Sequence, residues 1–321
     1  MADTIAGIHH ITAIAGDPQT NLDFYTNTLG LRLVKRTVNF DDPQTYHLYF
    51  GNETGQPGTI LTFFPWGSTA HGGKPGIGQA TEISFSVPAN SLGYWKDRLE
   101  GLGLAVDGPF TRFDLETIHI TDPDGIDLAL VGVHNDSRPA MTNGPVPAEH
   151  SIRGFHSVAM TVDGYERTAG LLQGALGFRP VGEAGERFRF EVGSGGPGSI
   201  IDILCHPTAP VGLMGVGAIH HIAWRAADDA AQLRFRTELT KRAFNVTPII
   251  DRNYFHSIYF REPGGVLFEI ATDPPGFGVD EPLSEFGTHL MLPDWLEARR
   301  EEIQLSLQPL RLPNVRETQK A

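Results

Sequence analysis

One cysteine, Cys205, stands in the whole chain, so neither an intramolecular disulfide nor a CxxC motif can form. That fits a reducing compartment, and a cytoplasmic protein is the expectation. Basic residues are also scarce: 25 Lys and Arg against 38 Asp and Glu give a formal charge of −13. Such a surface repels phosphate backbones and anionic headgroups, which argues against nucleic-acid and membrane-surface roles. No run approaches the roughly 18 apolar residues of a membrane span. Met1-Ala2-Asp3-Thr4 lacks the basic and apolar stretches of a signal peptide, so none is expected. What is plentiful is Gly, at 37, and Pro, at 23, which imply many turns and short elements. With 40% apolar and 20% charged residues over 321 positions, the composition is globular and the length suits two domains.

The chain repeats itself. Gly7-Ile8-His9-His10-Ile11-Thr12 recurs as Ala218-Ile219-His220-His221-Ile222-Ala223, as Gly154-Phe155-His156-Ser157-Val158-Ala159, and more weakly as Ala80-Thr81-Glu82-Ile83-Ser84-Phe85. Each opens a strand-like run. Twenty residues after His10, Ile83 and Ser157 come Gly30, Gly103 and Gly177, each closing a helical stretch as a left-handed cap. Asp17-Pro18 supplies an N-cap and a first-turn proline for the first helix. The fourth unit lacks the glycine and is expected to run on through Lys241-Arg242-Ala243-Phe244. A proline-glycine turn and an apolar strand end each unit, the strands being 60–63, 126–129, 200–203 and 266–269.

The expected fold is therefore α+β. Four βαβββ modules (near 5–66, 78–133, 152–207 and 216–273) form two tandem domains with open, barrel-like sheets around a cavity. The N-terminal domain spans 1–134, a polar, Pro-rich linker 135–151 and the C-terminal domain 152–275. Residues 276–321 form a tail with one short helix from about Pro293, and its end around Thr318-Gln319-Lys320-Ala321 is expected to fray.

Superimposing the units isolates a candidate site. The second residue of the paired position in the first strand is His10, Ile83, Ser157 or His221. Six residues after the turn proline stand Phe63, Ala129, Ile203 or Glu269. One carboxylate in an apolar strand is costly unless paired or bound to a cation. His10, His221 and Glu269 make a 2-His-1-carboxylate set, which suits Fe(II), with Mn(II) as the other candidate. The set requires units one and four to lie side by side. Adjacent strand residues point to opposite faces, so His9 can join His10 at the metal face only through a bulge. For His47, contact with the pocket and plain core packing are equally open readings, and Asp127 and Asp202 sit in apolar strands without an assigned role.

These segments, with Val34-Lys35-Arg36-Thr37, Tyr46-His47-Leu48-Tyr49-Phe50 and Pro263-Gly264-Gly265-Val266-Leu267-Phe268-Glu269, resemble the vicinal oxygen chelate superfamily. Within it they are most similar to the dioxygenases that open hydroquinones and chlorohydroquinones. The resemblance covers the chain from Ile8 to about Asp280. It implies iron on His10, His221 and Glu269, and pocket roles for His9, Thr12, His220, Arg252 and Tyr259. It also implies a small aromatic substrate, O2 as co-substrate, and a homo-oligomer. Asp251-Arg252-Asn253-Tyr254-Phe255-His256 is shorter than the matching family segment, and His256 stands where that family has an acid. By this resemblance the enzyme inserts oxygen into the ring, with Tyr259 and His220 moving protons and Arg252 holding charge on the substrate oxygen. The alternatives are a glyoxalase-like lyase or isomerase acting on a hydroxy-carbonyl substrate, and a metal-free binding protein.

Overall fold

The computed structural model describes residues 4–312, so the frayed end expected after Thr318 and the leader reading of the first three residues lie outside the described residues. Four βαβββ modules follow one another. The first comprises β1 (Ile8–Ala15), α1 (Pro18–Asp23), β2 (Arg32–Asn39), β3 (Asp42–Gly51) and β4 (Ile60–Pro65). The second comprises β5 (Gln79–Pro88), α2 (Leu92–Gly101), β6 (Asp107–Arg112), β7 (Leu115–Thr121) and β8 (Asp127–Val133). The third comprises β9 (Gly154–Val162), α3 (Glu166–Gly174), β10 (Arg179–Ala184), β11 (Arg187–Glu191) and β12 (Ile200–Cys205). The fourth comprises β13 (Ile219–Ala226), α4 (Asp229–Lys241), β14 (Ile250–Asp251), β15 (Phe255–Arg261) and β16 (Leu267–Pro275).

The local signals act as their chemistry dictates. Asp17 caps α1 by accepting from the Thr20 amide at 2.8 Å, with Pro18 in the first turn. α1 is short, and the chain continues as one π-helical turn over Phe24–Thr28. Gly30, Gly103 and Gly177 have φ of +75°, +83° and +80°, the left-handed caps expected of them. In the fourth module α4, at 13 residues the longest of the four, runs on to Lys241 but not through Phe244, because Ala243 takes the left-handed role at φ +64°. An alanine there bears the strain that glycine avoids.

The modules pair across the two halves of the chain. One eight-stranded sheet runs β14-β15-β16-β13-β1-β4-β3-β2 and joins modules one and four; the other runs β10-β11-β12-β9-β5-β8-β7-β6 and joins modules two and three. Each curled sheet thus takes one module from each half, and β1 pairs antiparallel with β13 as a shared His–His–Glu site requires. Two tail helices follow the sheets, α5 (Asp294–Glu297) and α6 (Arg300–Ser306).

The tail is bound to the first sheet. β2 is that sheet's edge, and buried Lys35 on it reaches Asp280 and Glu281, both at 2.8 Å. Arg32 and Arg36 donate to the carbonyls of Leu283 and Thr288, and Tyr46 donates to that of Gln308. An edge strand is covered in this way instead of being left open to pairing. Among the described residues no helix is long and apolar enough to cross a membrane.

The second sheet carries charge on its inner strands. Arg187 spans Glu82 and Asp202 at 2.8 Å each, Arg112 reaches Glu82 at 2.7 Å, and Arg189 grips Asp202 through two 2.8 Å bonds. His119 lies 3.0 Å from Asp127 and 3.2 Å from Arg112. Asp202 therefore has a structural role, pairing arginines one strand away.

Candidate metal centre

His10 on β1, His221 on β13 and Glu269 on β16 are all buried and converge. The two Nε2 atoms lie 3.3 Å apart, and Glu269 Oε2 is 2.9 Å from His221 Nε2 and 3.3 Å from His10 Nε2. Strand register explains the convergence: Thr12 faces His221 across β1–β13, and Ala223 faces Glu269 across β13–β16. Despite these close approaches, Glu269 Oε2 has no hydrogen-bond partner. A buried oxygen of this kind, aimed at two imidazole nitrogens, is unsatisfied unless a cation sits among them. Two neutral nitrogens and a carboxylate oxygen fit a divalent transition metal. The other Glu269 oxygen accepts a short hydrogen bond from Ser257. Burial pushes the Glu269 carboxyl up, but the His10 and His221 imidazoles outweigh it and hold it well below its ordinary range. Burial lowers the His221 imidazole against the opposing pull of Glu269, leaving the neutral ring a metal requires.

Both histidine pairs lie in bulges. Between Ile8↔Trp224 and His10↔Ala223 the first strand spends one extra residue, His9; between Thr12↔His221 and Ala13↔Ile219 the facing strand spends one extra, His220. The bulges turn each pair to one side. His9 Nδ1 stands 2.9 Å from His10 Nδ1, and His220 Nδ1 stands 2.7 Å from His221 Nδ1. His9 Nε2 is 3.2 Å from the Thr272 carbonyl, which can only accept. Burial, with His10 beside it, keeps His9 neutral. Its one proton is then on Nε2, and its Nδ1 is left as the acceptor toward His10 Nδ1.

The remaining site residues named from sequence lie on the same face. Tyr259 on β15 faces Glu269 across β15–β16, and its ring meets the His221 ring edge at 5.8 Å. Arg252 Nε donates to Tyr259 Oη at 3.3 Å while Nη1 pairs with Asp41 at 3.0 Å. Burial and nearby Glu269 push the Tyr259 phenol well up, so it carries its proton. Burial and His221 lower His220 to about 3, so it is neutral. Thr12 Oγ1 contacts Thr62 Oγ1 at 2.9 Å. His256 points elsewhere, to Asp229 at 2.6 Å.

Three residues escaped the sequence reading or were left open by it. Ser257 shares its strand face with Tyr259 two residues on, and that alternation was the available signal. Phe255, two further back, packs its ring on His9 and His10 at 5.1 and 5.0 Å. His47 bonds within the sheet, 2.8 Å from Thr62 and 2.8 Å from Tyr49. An aromatic group of Tyr49, Tyr254, Phe255, Phe277 and Phe286 lines the same end of the sheet, so the tail supplies two of its rings.

Fold and site together define a tandem-module protein with a buried His–His–Glu set. The sequence profile of the Glyoxalase/Bleomycin resistance protein/Dioxygenase superfamily matches residues 7–130 and 154–270, and the chain belongs to that superfamily. It is 46% identical to "Putative ring-cleaving dioxygenase MhqO" of Bacillus subtilis, over 96% of this chain and 98% of that one. It is 33% identical to the chlorohydroquinone/hydroquinone 1,2-dioxygenase of Sphingobium indicum, over 94% of this chain and 96% of that one. A crystal structure described as a putative dioxygenase from Bacillus subtilis superimposes with a TM-score of 0.93 at 45% identity, covering 97% of this chain and 99% of that one. Both named relatives are described as dioxygenases, the first of them as ring-cleaving.

Proposed function

We propose that the protein is an Fe(II)-dependent dioxygenase that opens hydroquinone-type rings with O2. The observation that carries this reading is the buried Glu269 Oε2, unpartnered among His10 and His221, in a chain whose relatives bear ring-cleaving names. Iron held by His10, His221 and Glu269 would leave positions for a phenolate oxygen and O2 and let electrons pass between them.

The chain's own residues have the remaining tasks. Phe255 and the aromatic group around Tyr49 form an apolar wall that suits a ring and excludes water. Arg252 stabilises negative charge developing on a substrate oxygen. Tyr259, protonated and held by Arg252 Nε, donates a proton at its Oη. His220, accepting at Nδ1 from His221, keeps its single proton on Nε2 and is the second proton-transfer group. His9 acts through His10, whose tautomer it sets.

Tyr259→Phe is expected to lower kcat about 10²-fold with iron content unchanged, because it removes the donor and none of the ligands. Unchanged turnover would exclude Tyr259 from proton transfer.

The substrate class is tested by anaerobic reconstitution with Fe(II), then oxygen uptake on hydroquinone, substituted hydroquinones and catechols. Uptake with loss of ring absorbance is expected on the hydroquinones. Anaerobic turnover of a glutathione hemithioacetal, without uptake on any ring, would establish the lyase reading instead.

A further inference from the structure

One wall of the metal face is a run of four polar side chains from three neighbouring strands. Thr12 Oγ1 lies 2.9 Å from Thr62 Oγ1, Thr62 Oγ1 lies 2.8 Å from His47 Nε2, and His47 Nδ1 lies 2.8 Å from Tyr49 Oη. Taken singly, each link is reversible, because hydroxyls and neutral imidazoles both donate and accept. The far end removes that freedom. Tyr49 is buried, with its ring 5.1 Å from Phe277 and 6.1 Å from Tyr254, and burial keeps its phenol protonated. A buried O–H without an acceptor is costly, and the acceptor within reach is His47 Nδ1.

The rest follows link by link. Burial, the largest influence on it, keeps His47 neutral. A neutral imidazole that accepts at Nδ1 carries its proton on Nε2, so His47 donates to Thr62. Thr62, receiving that bond, donates onward to Thr12. The Thr12 proton then has no acceptor left within the run. Thr12 is wholly buried and faces His221 in the strand register, beside the ligand set.

We infer that Tyr49, His47 and Thr62 are positioning residues that aim the Thr12 hydroxyl proton at an oxygen acceptor seated beside His10, His221 and Glu269. The acceptor is a phenolate-type oxygen. Its identity rests on the dioxygenase reading, whereas the direction of the relay does not. Tyr49→Phe removes the fixed end, so the relay runs either way and Thr12 gives up its proton to Thr62 part of the time. Thr62→Val cuts the relay outright.

Two measurements decide this. Nitrogen-15 NMR of the histidine-labelled, metal-free full chain reads the His47 tautomer, with the signal identified by its loss in His47→Gln. A bare Nδ1 and a protonated Nε2 are expected at neutral pH, shifting toward a mixture in Tyr49→Phe. An Nδ1–H tautomer or an imidazolium in the parent protein would overturn the relay. On the iron-loaded enzyme, Tyr49→Phe and Thr62→Val should each lower kcat about tenfold with KM little changed, and Thr62→Ser should restore it. In a Thr12→Val background neither should cost anything further. Losses that add on top of Thr12→Val would show plain packing effects and sink the proposal. A parent enzyme inert toward every dihydroxy ring would defeat the dioxygenase reading, while the tautomer would still decide the relay.

Discussion

Glu269→Gln is expected to lose its metal and its oxygen consumption together, while the metal-free fold stays intact. The substitution keeps the size of the side chain and its contact with Ser257 but removes the charge beside two neutral imidazoles. Partners that merely support a ligand are worth roughly 10–100-fold in metal affinity, so loss of a ligand should exceed about 10³-fold. Dialysed protein should then contain no iron, and oxygen uptake should fall to background. The stability of the metal-free protein separates ligand from structural support. In the absence of metal the two imidazoles still favour the ionised carboxylate in the fold, so neutralising it should lower Tm modestly while the protein stays folded. A variant that retains iron, or that unfolds, would remove Glu269 from the ligand set.

Arg187→Met should give the opposite pattern, a large loss of stability with iron content untouched. Arg187 lies in the other sheet, where it joins Glu82 on β5 to Asp202 on β12 and so ties module two to module three. Both carboxylates are nearly or fully buried. Removing the shared partner of two buried carboxylates costs up to about 3–5 kcal/mol, an upper bound because Arg112 still pairs Glu82 and Arg189 still pairs Asp202, and Tm should fall by up to roughly 10 °C. The pH dependence gives the sign. Burial raises the Glu82 carboxyl, but Arg187 and Arg112 outweigh it and hold it down to about 2, against an ordinary 4.5. A carboxyl depressed on folding stabilises above its unfolded pKa, and that contribution fades as pH falls from 4.5 toward 2. The gap in stability between wild type and Arg187→Met should therefore be full at pH 7 and shrink below pH 4.5. A gap independent of pH would mean that Arg187 acts by packing alone.

The two sheets show what repetition made legible. His10, His221 and Glu269 emerged from aligning the units because a ligand position is a departure from an apolar repeat. Their need to meet also implied the β1–β13 seam that joins modules one and four. In the second sheet the same alignment places Glu82 and Ile83 opposite His9 and His10, and His156 and Ser157 opposite His220 and His221. Arginines there fill the role a cation would have, and this was not legible. Glu82 and Arg187 are 105 residues apart, and nothing local in either segment announces the other. The bulges at His9 and His220 were legible only as a condition, since strand alternation forbids two adjacent side chains on one face without them. The left-handed Ala243 was missed because the repeat uses glycine there and sequence gives no sign that alanine will bear the strain. Beside the Lys35 ion pairs, the tail's grip on β2 and β3 uses backbone carbonyls of residues 283, 288 and 308, which no side-chain pattern reveals.

The most direct test is the ratio of oxygen consumed to rings opened. Iron-reconstituted protein is given hydroquinone in an oxygen electrode while ultraviolet absorbance follows the ring, with Glu269→Gln alongside. One O2 per ring opened, and none of either in the variant, is the expected result. Ring loss that proceeds equally well without oxygen, or no uptake on any ring with iron seated on His10, His221 and Glu269, would contradict a ring-cleaving dioxygenase.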